Sequence, residues 1–353
     1  MILRLKFLLI SFGLTIALFF VAEGLIRWLM PQHWQLNATG GRLLTADDPM
    51  IGGGLLRPHA HAVHRTPEFE AEYRVNPEGL RDEVRPQVNK GDEIRILALG
   101  DSFTFGIGNP YENIWPAVFE KKLMNEGYTV RVIKAGILGF NTRKELFYLK
   151  RLLPRYRPHY VILGFVAHDL FENTALSEGV EEEGIMVREL PYTRWHTLRF
   201  FRRVLFSSDH LYGMVYLSTP RREYFTRPLS ARVEERVRIT KELISEMHAF
   251  SEKNGARFIV LSIPQQFQII ASSHESFFSG VDHGWIDRVF GAFVAGKGIP
   301  WLATKDTLEK EYREKKTPVY YRVDGHLNPA GHEAVAKHLL DHFMKLHGSP
   351  GPR

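Results

Sequence analysis

The stretch Ile94-Arg-Ile-Leu-Ala-Leu-Gly-Asp-Ser-Phe103 decides how this chain is read. Its Ile, Leu and Ala run predicts a strand over 94–100 that is covered on both faces. The Gly-Asp-Ser turn after it carries a serine hydroxyl to the strand's carboxyl end, which is where open α/β sheets keep their chemistry. Further strands are predicted at 129–134, 160–166, 257–263 and 299–302, alternating with helices at 112–126, 141–153, 231–254, 284–296 and 330–346. Such alternation, with right-handed crossovers, specifies a parallel sheet with helices on both faces, a three-layer α/β/α sandwich of flavodoxin-like type.

Gly-Asp-Ser gains its meaning from three later blocks: Gly139 in Ala135-Gly-Ile-Leu-Gly-Phe-Asn141, His168-Asp169 after the apolar run Tyr160 to Val166, and Asp324-Gly-His326. Together these blocks resemble the SGNH (GDSL-like) hydrolase superfamily. From about Tyr73 to His342 the chain is similar to its membrane-anchored bacterial members, some of which act on envelope polysaccharides. The resemblance implies a five-stranded parallel sheet in the order 2-1-3-4-5. It places Ser102 on the nucleophile, Asp324 and His326 on the acid and base, and Gly139 on the glycine whose N–H helps to bind the oxyanion. Two positions depart from the pattern. His168 stands where the superfamily has an asparagine donor, and the acid and base are two residues apart instead of three. The shorter spacing is similar to that of the alginate-acetyltransferase-like branch, which points towards acyl transfer on polysaccharide.

The residue types themselves support this chemistry. A serine hydroxyl is a poor nucleophile at neutral pH and needs a base in hydrogen-bond reach, which in turn needs an orienting acceptor. In an extended backbone, residues two apart project to the same side, so Asp324 can hold His326 while the ring faces Ser102. The N–H groups of Ser102 and Gly139 are backbone oxyanion donors, and a neutral His168 carries one N–H that can occupy roughly the place of an amide. Asp101 and Asp169 read as turn-fixing acceptors, and Asn141 and Asn173 as holders of rim loops.

At 353 residues and 44% hydrophobic content the chain can bury one large core with additions or two modest domains. A net charge of +6 suits anionic polymers or lipid head groups, while no zinc-finger spacing, RNA-binding motif or long basic run points to nucleic acid. With no cysteine there is no disulfide framework, thiolate metal site or thiol nucleophile. Phe7 to Ala22 is uncharged and almost wholly apolar, with Arg4 and Lys6 before it and Glu23 after it. No small-x-small cleavage site closes the run, and Gly24 to Met30 extends the helix, so an uncleaved signal anchor over 1–30 is favoured over a cleaved signal peptide. The basic flank keeps the amino end in the cytoplasm and the rest outside, which places the protein in a bacterial inner membrane with a periplasmic catalytic domain.

Residues 31–72 are expected to be a tether and lead-in, irregular over 32–70, and 73–348 the catalytic domain, in which Tyr73 to Arg81 packs over the sheet edge. Residues 171–229 interrupt the alternation with an acidic patch, Glu178 to Glu183, and then Tyr192, Arg194, Trp195, Arg199, Phe200, Phe201, Arg202, Arg203 and Phe206. Either these aromatics pack on the core beneath a solvated basic face, or the insertion binds a polymer or a membrane surface. His332-Glu333 lacks the second histidine of a zinc-protease helix, because position 336 is alanine; the trio His59, His61 and His64 reads as solvated, and Gly106-Ile-Gly108 lacks the lysine of a phosphate loop. No metal or cofactor is expected. The leading expectation is a serine acyl-esterase acting on O-acetyl groups of an envelope or exported glycan. An O-acetyltransferase, a lipid esterase and a non-enzymatic envelope scaffold stand as alternatives.

Overall fold

The computed structural model describes residues 2–38, 42–51, 53–84, 93–173 and 195–347. Helix α1 (Ile2–Leu29) comes first, and its segment Arg4–Leu29, in which an 18-residue stretch reaches a mean hydropathy of 2.3, is long and apolar enough to cross a membrane. Five short strands follow: β1 (Gln35–Ala38), β2 (Leu44–Asp48), β3 (Gly53–Leu56), β4 (His61–Arg65) and β5 (Glu70–Arg74). Antiparallel pairing gives a sheet in the order β1-β4-β5 and a separate β2-β3 hairpin. The irregular tether expected over 32–70 is thus replaced by ordered strands. Their inward positions are Ala62, His64, Ala71 and Tyr73, so the alternating burial of β4 and β5 has no apolar run to announce it.

The central sheet holds β6 (Ile94–Gly100), β7 (Val130–Gly136), β8 (Tyr160–Val166), β9 (Arg257–Ile263) and β10 (Trp301–Ala303). All neighbours are parallel and the order is β7-β6-β8-β9-β10, the 2-1-3-4-5 arrangement expected. Around it run α2 (Ser102–Phe105), α3 (Trp115–Asn125), α4 (Thr142–Tyr156), α5 (Asp169–Glu172), α6 (His196–Ser207), α7 (Asp209–Leu217), α8 (Ala231–Lys253), α9 (Gln266–Ser273), α10 (Trp285–Ala295), α11 (Lys305–Glu314) and α12 (Pro329–His347).

Strand alternation divides the core in two. Leu97 and Leu99 pack with Leu149, Ile244 and Phe290 of α4, α8 and α10, whereas Ile96 and Ala98 pack with Phe119 of α3 and Val335, Leu339 and Phe343 of α12. Each large apolar side chain so buried contributes about 1.5–3 kcal/mol relative to exposure. α3 starts later than predicted because Pro116 lacks an N–H and fits only the first turn. Within the insertion, the described residues form α6, α7 and a 3₁₀ turn at Pro220–Tyr224, while Glu178 to Glu183, Tyr192 and Arg194 lie outside the described residues.

Candidate active site

Three glycines make the floor of the site. Gly100, Gly136 and Gly164 end or nearly end β6, β7 and β8 and lie in one register across the sheet. A Cβ on Gly136 would overlap the Phe105 backbone, and one on Gly100 or Gly164 would overlap Thr104 Oγ1. Their bare backbones therefore let the short helix α2, which begins with Ser102, lie directly on the strand ends. Asp101 caps α2, its Oδ1 accepting from Phe103 N–H at 2.8 Å. The serine is thus fixed at the carboxyl edge of a buried strand, as the turn predicted.

Ser102, His326 and Asp324 meet. His326 Nε2 lies 2.8 Å from Ser102 Oγ, and His326 Nδ1 lies 2.6 Å from Asp324 Oδ1. The link between Asp324 and His326 is a turn, not the extended backbone expected. Gly325 sits at φ +86°, and the His326 N–H also donates to Asp324 Oδ1 at 3.3 Å, so one carboxylate oxygen serves both. Asp-Gly-His suits this two-residue spacing because glycine enters the left-handed region without strain. Burial pushes the His326 imidazole down, but the charge and hydrogen bond of Asp324 outweigh it and hold the ring above its ordinary value. Burial likewise pushes Asp324 up, and contact with His326 more than reverses it, leaving the carboxyl below its ordinary range.

Gly139 stands on the turn after β7 at φ +70°, exposed, with nothing where a side chain would be. Lys144 Nζ donates to its carbonyl at 3.2 Å, which orients that peptide. His168 precedes α5, and its Nε2 is 2.7 Å from Asp101 Oδ2 and 3.9 Å from Asp169 Oδ1. Asp169 Oδ2 accepts from Val166 N–H at 3.2 Å, so both aspartates fix turns as expected. With Nε2 beside Asp101, Nδ1 is the ring nitrogen left to face an oxyanion. The ring of Phe103 lies between the two histidines, 4.9 Å from His326 and 5.7 Å from His168. Asn141 caps α4 and Asn173 bonds Thr240 at 2.9 Å; both hold loops.

The profile of the GDSL-like lipase/acylhydrolase family matches residues 98–334, from β6 to within α12. The chain belongs to this family. An arylesterase of Vibrio mimicus is 35% identical over 75 residues, 21% of this chain and 38% of that protein. Esterase TesA of Pseudomonas aeruginosa is 32% identical over 74 residues, 21% of this chain and 37% of that protein. The matched segment spans less than two fifths of either relative. Among solved structures, the crystal structure of TesA covers 71% of this chain and 99% of its own, at TM-score 0.43 and 17% identity. Psychrotrophic esterase EstA from Pseudoalteromonas, in a structure inhibited by monoethylphosphonate, covers 71% of this chain and 97% of its own, at TM-score 0.41 and 14% identity.

Within this GDSL-like site, the segment expected as a tether supplies a support that sequence reasoning missed. Glu68, between β4 and β5, accepts from Val323 N–H at 3.0 Å and Asp324 N–H at 2.9 Å, and so holds the loop that carries Asp324 and His326. Burial pushes the Glu68 carboxyl above its ordinary range against the pull of these N–H groups. Arg81 is the other missed support. It lies between the Tyr73 and Phe105 rings, 4.7 and 4.8 Å from their centroids, and donates to the carbonyls of Phe105, Gly106 and Asn109. The lead-in thereby clamps the loop behind Ser102, and burial lowers Arg81 to about 10. A glutamate before a strand and an arginine after a turn carry no sequence signal for either role.

The trio His59, His61 and His64 separates. His59 is exposed, His61 pairs with Glu72, and His64 is buried with Nδ1 3.1 Å from Tyr73 Oη. The assumption that all three are solvated therefore fails for His64. Asp101, His168 and Asp169 bring three ligand atoms within 4.8 Å of one another, but one oxygen of each carboxylate already accepts a backbone N–H and the ring pairs with Asp101.

Proposed function

We propose that this chain is a serine acyl-esterase working through an acyl-Ser102 intermediate. The observation that carries the reading is the unbroken relay from Asp324 through His326 to Ser102 Oγ, with contacts of 2.6 and 2.8 Å. In the first half-reaction Ser102 Oγ bonds to the ester carbonyl carbon as its proton passes to His326 Nε2. The tetrahedral oxyanion is received by the N–H groups of Ser102 and Gly139, with His168 as a third donor. The carbon–oxygen bond to the leaving alcohol then breaks, and His326 returns the proton to that oxygen. Water, deprotonated by His326, repeats the sequence and frees the acid and Ser102.

The substrate we favour is an O-acetyl or O-acyl group on an envelope or exported glycan, with α1 as an uncleaved anchor and the catalytic domain on the periplasmic side of the inner membrane. A sugar hydroxyl in place of water would make the protein an O-acetyltransferase for surface polysaccharide. The two-residue Asp-Gly-His spacing favours this second reading. Turnover of acetyl esters by the full chain in detergent, with and without a glycan acceptor, tests both. Release of acetate that needs Ser102 supports the esterase; acetyl appearing on the acceptor at the expense of acetate supports the transferase. No turnover of either kind by the folded chain overturns the proposal.

A further inference from the structure

Helix α6 is amphipathic and docked on the candidate membrane span. Leu198, Phe201, Val204 and Leu205 are exposed at 38, 57, 50 and 42%, and their spacing gathers them into one stripe covering roughly a third of the helix circumference. Exposed Arg203 and the partly covered Arg199 and Arg202 lie on the remaining surface. A stripe of this size beside arginines on an outer helix is the pattern of an element lying in a lipid interface.

The position of α6 against α1 identifies what covers that stripe. Glu23 of α1 caps α6, accepting from His196 N–H at 3.1 Å, Thr197 N–H at 2.8 Å and Thr197 Oγ1 at 2.8 Å. Trp195 packs on Phe19 and Phe20, with ring centroids 5.3 and 5.7 Å away. Beyond Pro31, Gln32 N–H donates to His196 Nδ1 at 2.7 Å and its carbonyl accepts from Arg199 at 2.9 Å. Arg4–Leu29 is about 39 Å long at 1.5 Å per residue, against a hydrocarbon core of about 30 Å. A span that starts near its basic flank leaves the bilayer at its last turns, the level at which Trp195 and α6 begin.

The far end of α6 touches the catalytic loop. Arg322 donates to Asp209 at 2.5 Å and to the Ser207 carbonyl at 3.3 Å, and Arg202 donates to the Val323 carbonyl at 3.4 Å, next to Asp324. We propose that α6 is an interfacial helix whose Leu198–Phe201–Leu205 stripe inserts into the anionic lipid surface from which α1 emerges, holding the loop of Asp324 and His326 at the membrane boundary. The inference rests on the reading of α1 as a membrane span.

The chain has no cysteine, so single cysteines report position without background. Full-length Phe201→Cys, Leu14→Cys and Glu252→Cys variants, each carrying an environment-sensitive fluorophore, are reconstituted in vesicles of phosphatidylethanolamine and phosphatidylglycerol. Quenching by a lipid-borne nitroxide is compared with quenching by aqueous iodide. The expected result is that labels at 14 and 201 are quenched several-fold better from the lipid, and the label at 252 better from water. Adding Arg203→Glu should weaken lipid quenching at 201 in these vesicles and not in phosphatidylcholine. A label at 201 that behaves like 252 while 14 is lipid-quenched overturns the inference alone. Protection of 201 from both quenchers also overturns it, because another protein surface then covers α6. Loss of lipid quenching at 14 overturns the anchor reading and this inference with it.

Discussion

Replacing Glu68 with alanine removes the acceptor shared by the N–H groups of Val323 and Asp324 while leaving the side chains of Ser102, His326 and Asp324 in place. Each buried N–H left without a partner costs about 1–3 kcal/mol, and hydrogen bonds to a charged acceptor lie in the upper part of that range. Glu68 is half-buried, so water recovers part of the loss, and about 1.5–3 kcal/mol is the expected penalty on the native loop. Relief of the burial that raises its carboxyl offsets some of this in overall stability. The penalty therefore falls mainly on the placement of Asp324 and His326, and about 10- to 100-fold of kcat should be lost at 1.4 kcal/mol per tenfold. The assay is steady-state hydrolysis of a small acetyl ester, with Tm and the rate of Ser102 phosphonylation measured beside it. kcat and phosphonylation should fall together while KM and Tm change little, and Glu68→Gln, whose amide oxygen accepts one N–H, should recover part of the rate. An unchanged kcat in a folded Glu68→Ala variant would refute the reasoning that this carboxylate positions the loop.

Gly136→Ala should destabilise the fold by about 1–3 kcal/mol in denaturant titration, since its methyl group overlaps the Phe105 backbone; a stability equal to wild type contradicts the close approach of α2. Asp324 holds the imidazole of His326 above its ordinary value, so the acid limb of kcat/KM should lie above about pH 6.5, activity being lost as the pH falls through that value. Asp324→Asn should move the limb to lower pH and cut kcat by about 10⁴, and a limb that stays in place argues against the pair. His168→Ala should lower turnover by about 10²–10³ with little change in Tm. His168→Asn should restore much of it, because an amide supplies an N–H donor in the same place; equal rates for alanine variant and wild type would make His168 purely structural.

Where burial follows an apolar run, the sequence is legible. Ile94 to Gly100 and Tyr160 to Val166 are strands at the predicted bounds because both faces are covered and every position is apolar or small, apart from Arg95 near the strand's start. That Ser102, Asp324 and His326 should meet was legible from the family resemblance and from what such residue types permit, and their contacts are 2.6 and 2.8 Å. The support beneath them was not. Gly100, Gly136 and Gly164 matter through a register between strands that are far apart in sequence, and Glu68 through hydrogen bonds to a loop 255 and 256 residues away. β4 and β5 carry little sequence signal because their buried face is built from Ala62, His64, Ala71 and Tyr73. The turn at Gly325 is not legible from spacing, since two residues fit extended and folded backbones alike and only a φ of +86° distinguishes them.

The central claim is that Ser102 attacks an ester carbonyl with His326 as its base. Its most direct test is mass spectrometry of the full chain, acid-quenched during turnover of an activated acetyl ester and digested to peptides. The peptide containing Ser102 should carry one acetyl group in wild type and none in Ser102→Ala, and His326→Ala should acquire it at least about 10³-fold more slowly, on the scale of triad losses. Acetylation of another residue, or turnover by a folded Ser102→Ala variant at the wild-type rate, would contradict the claim.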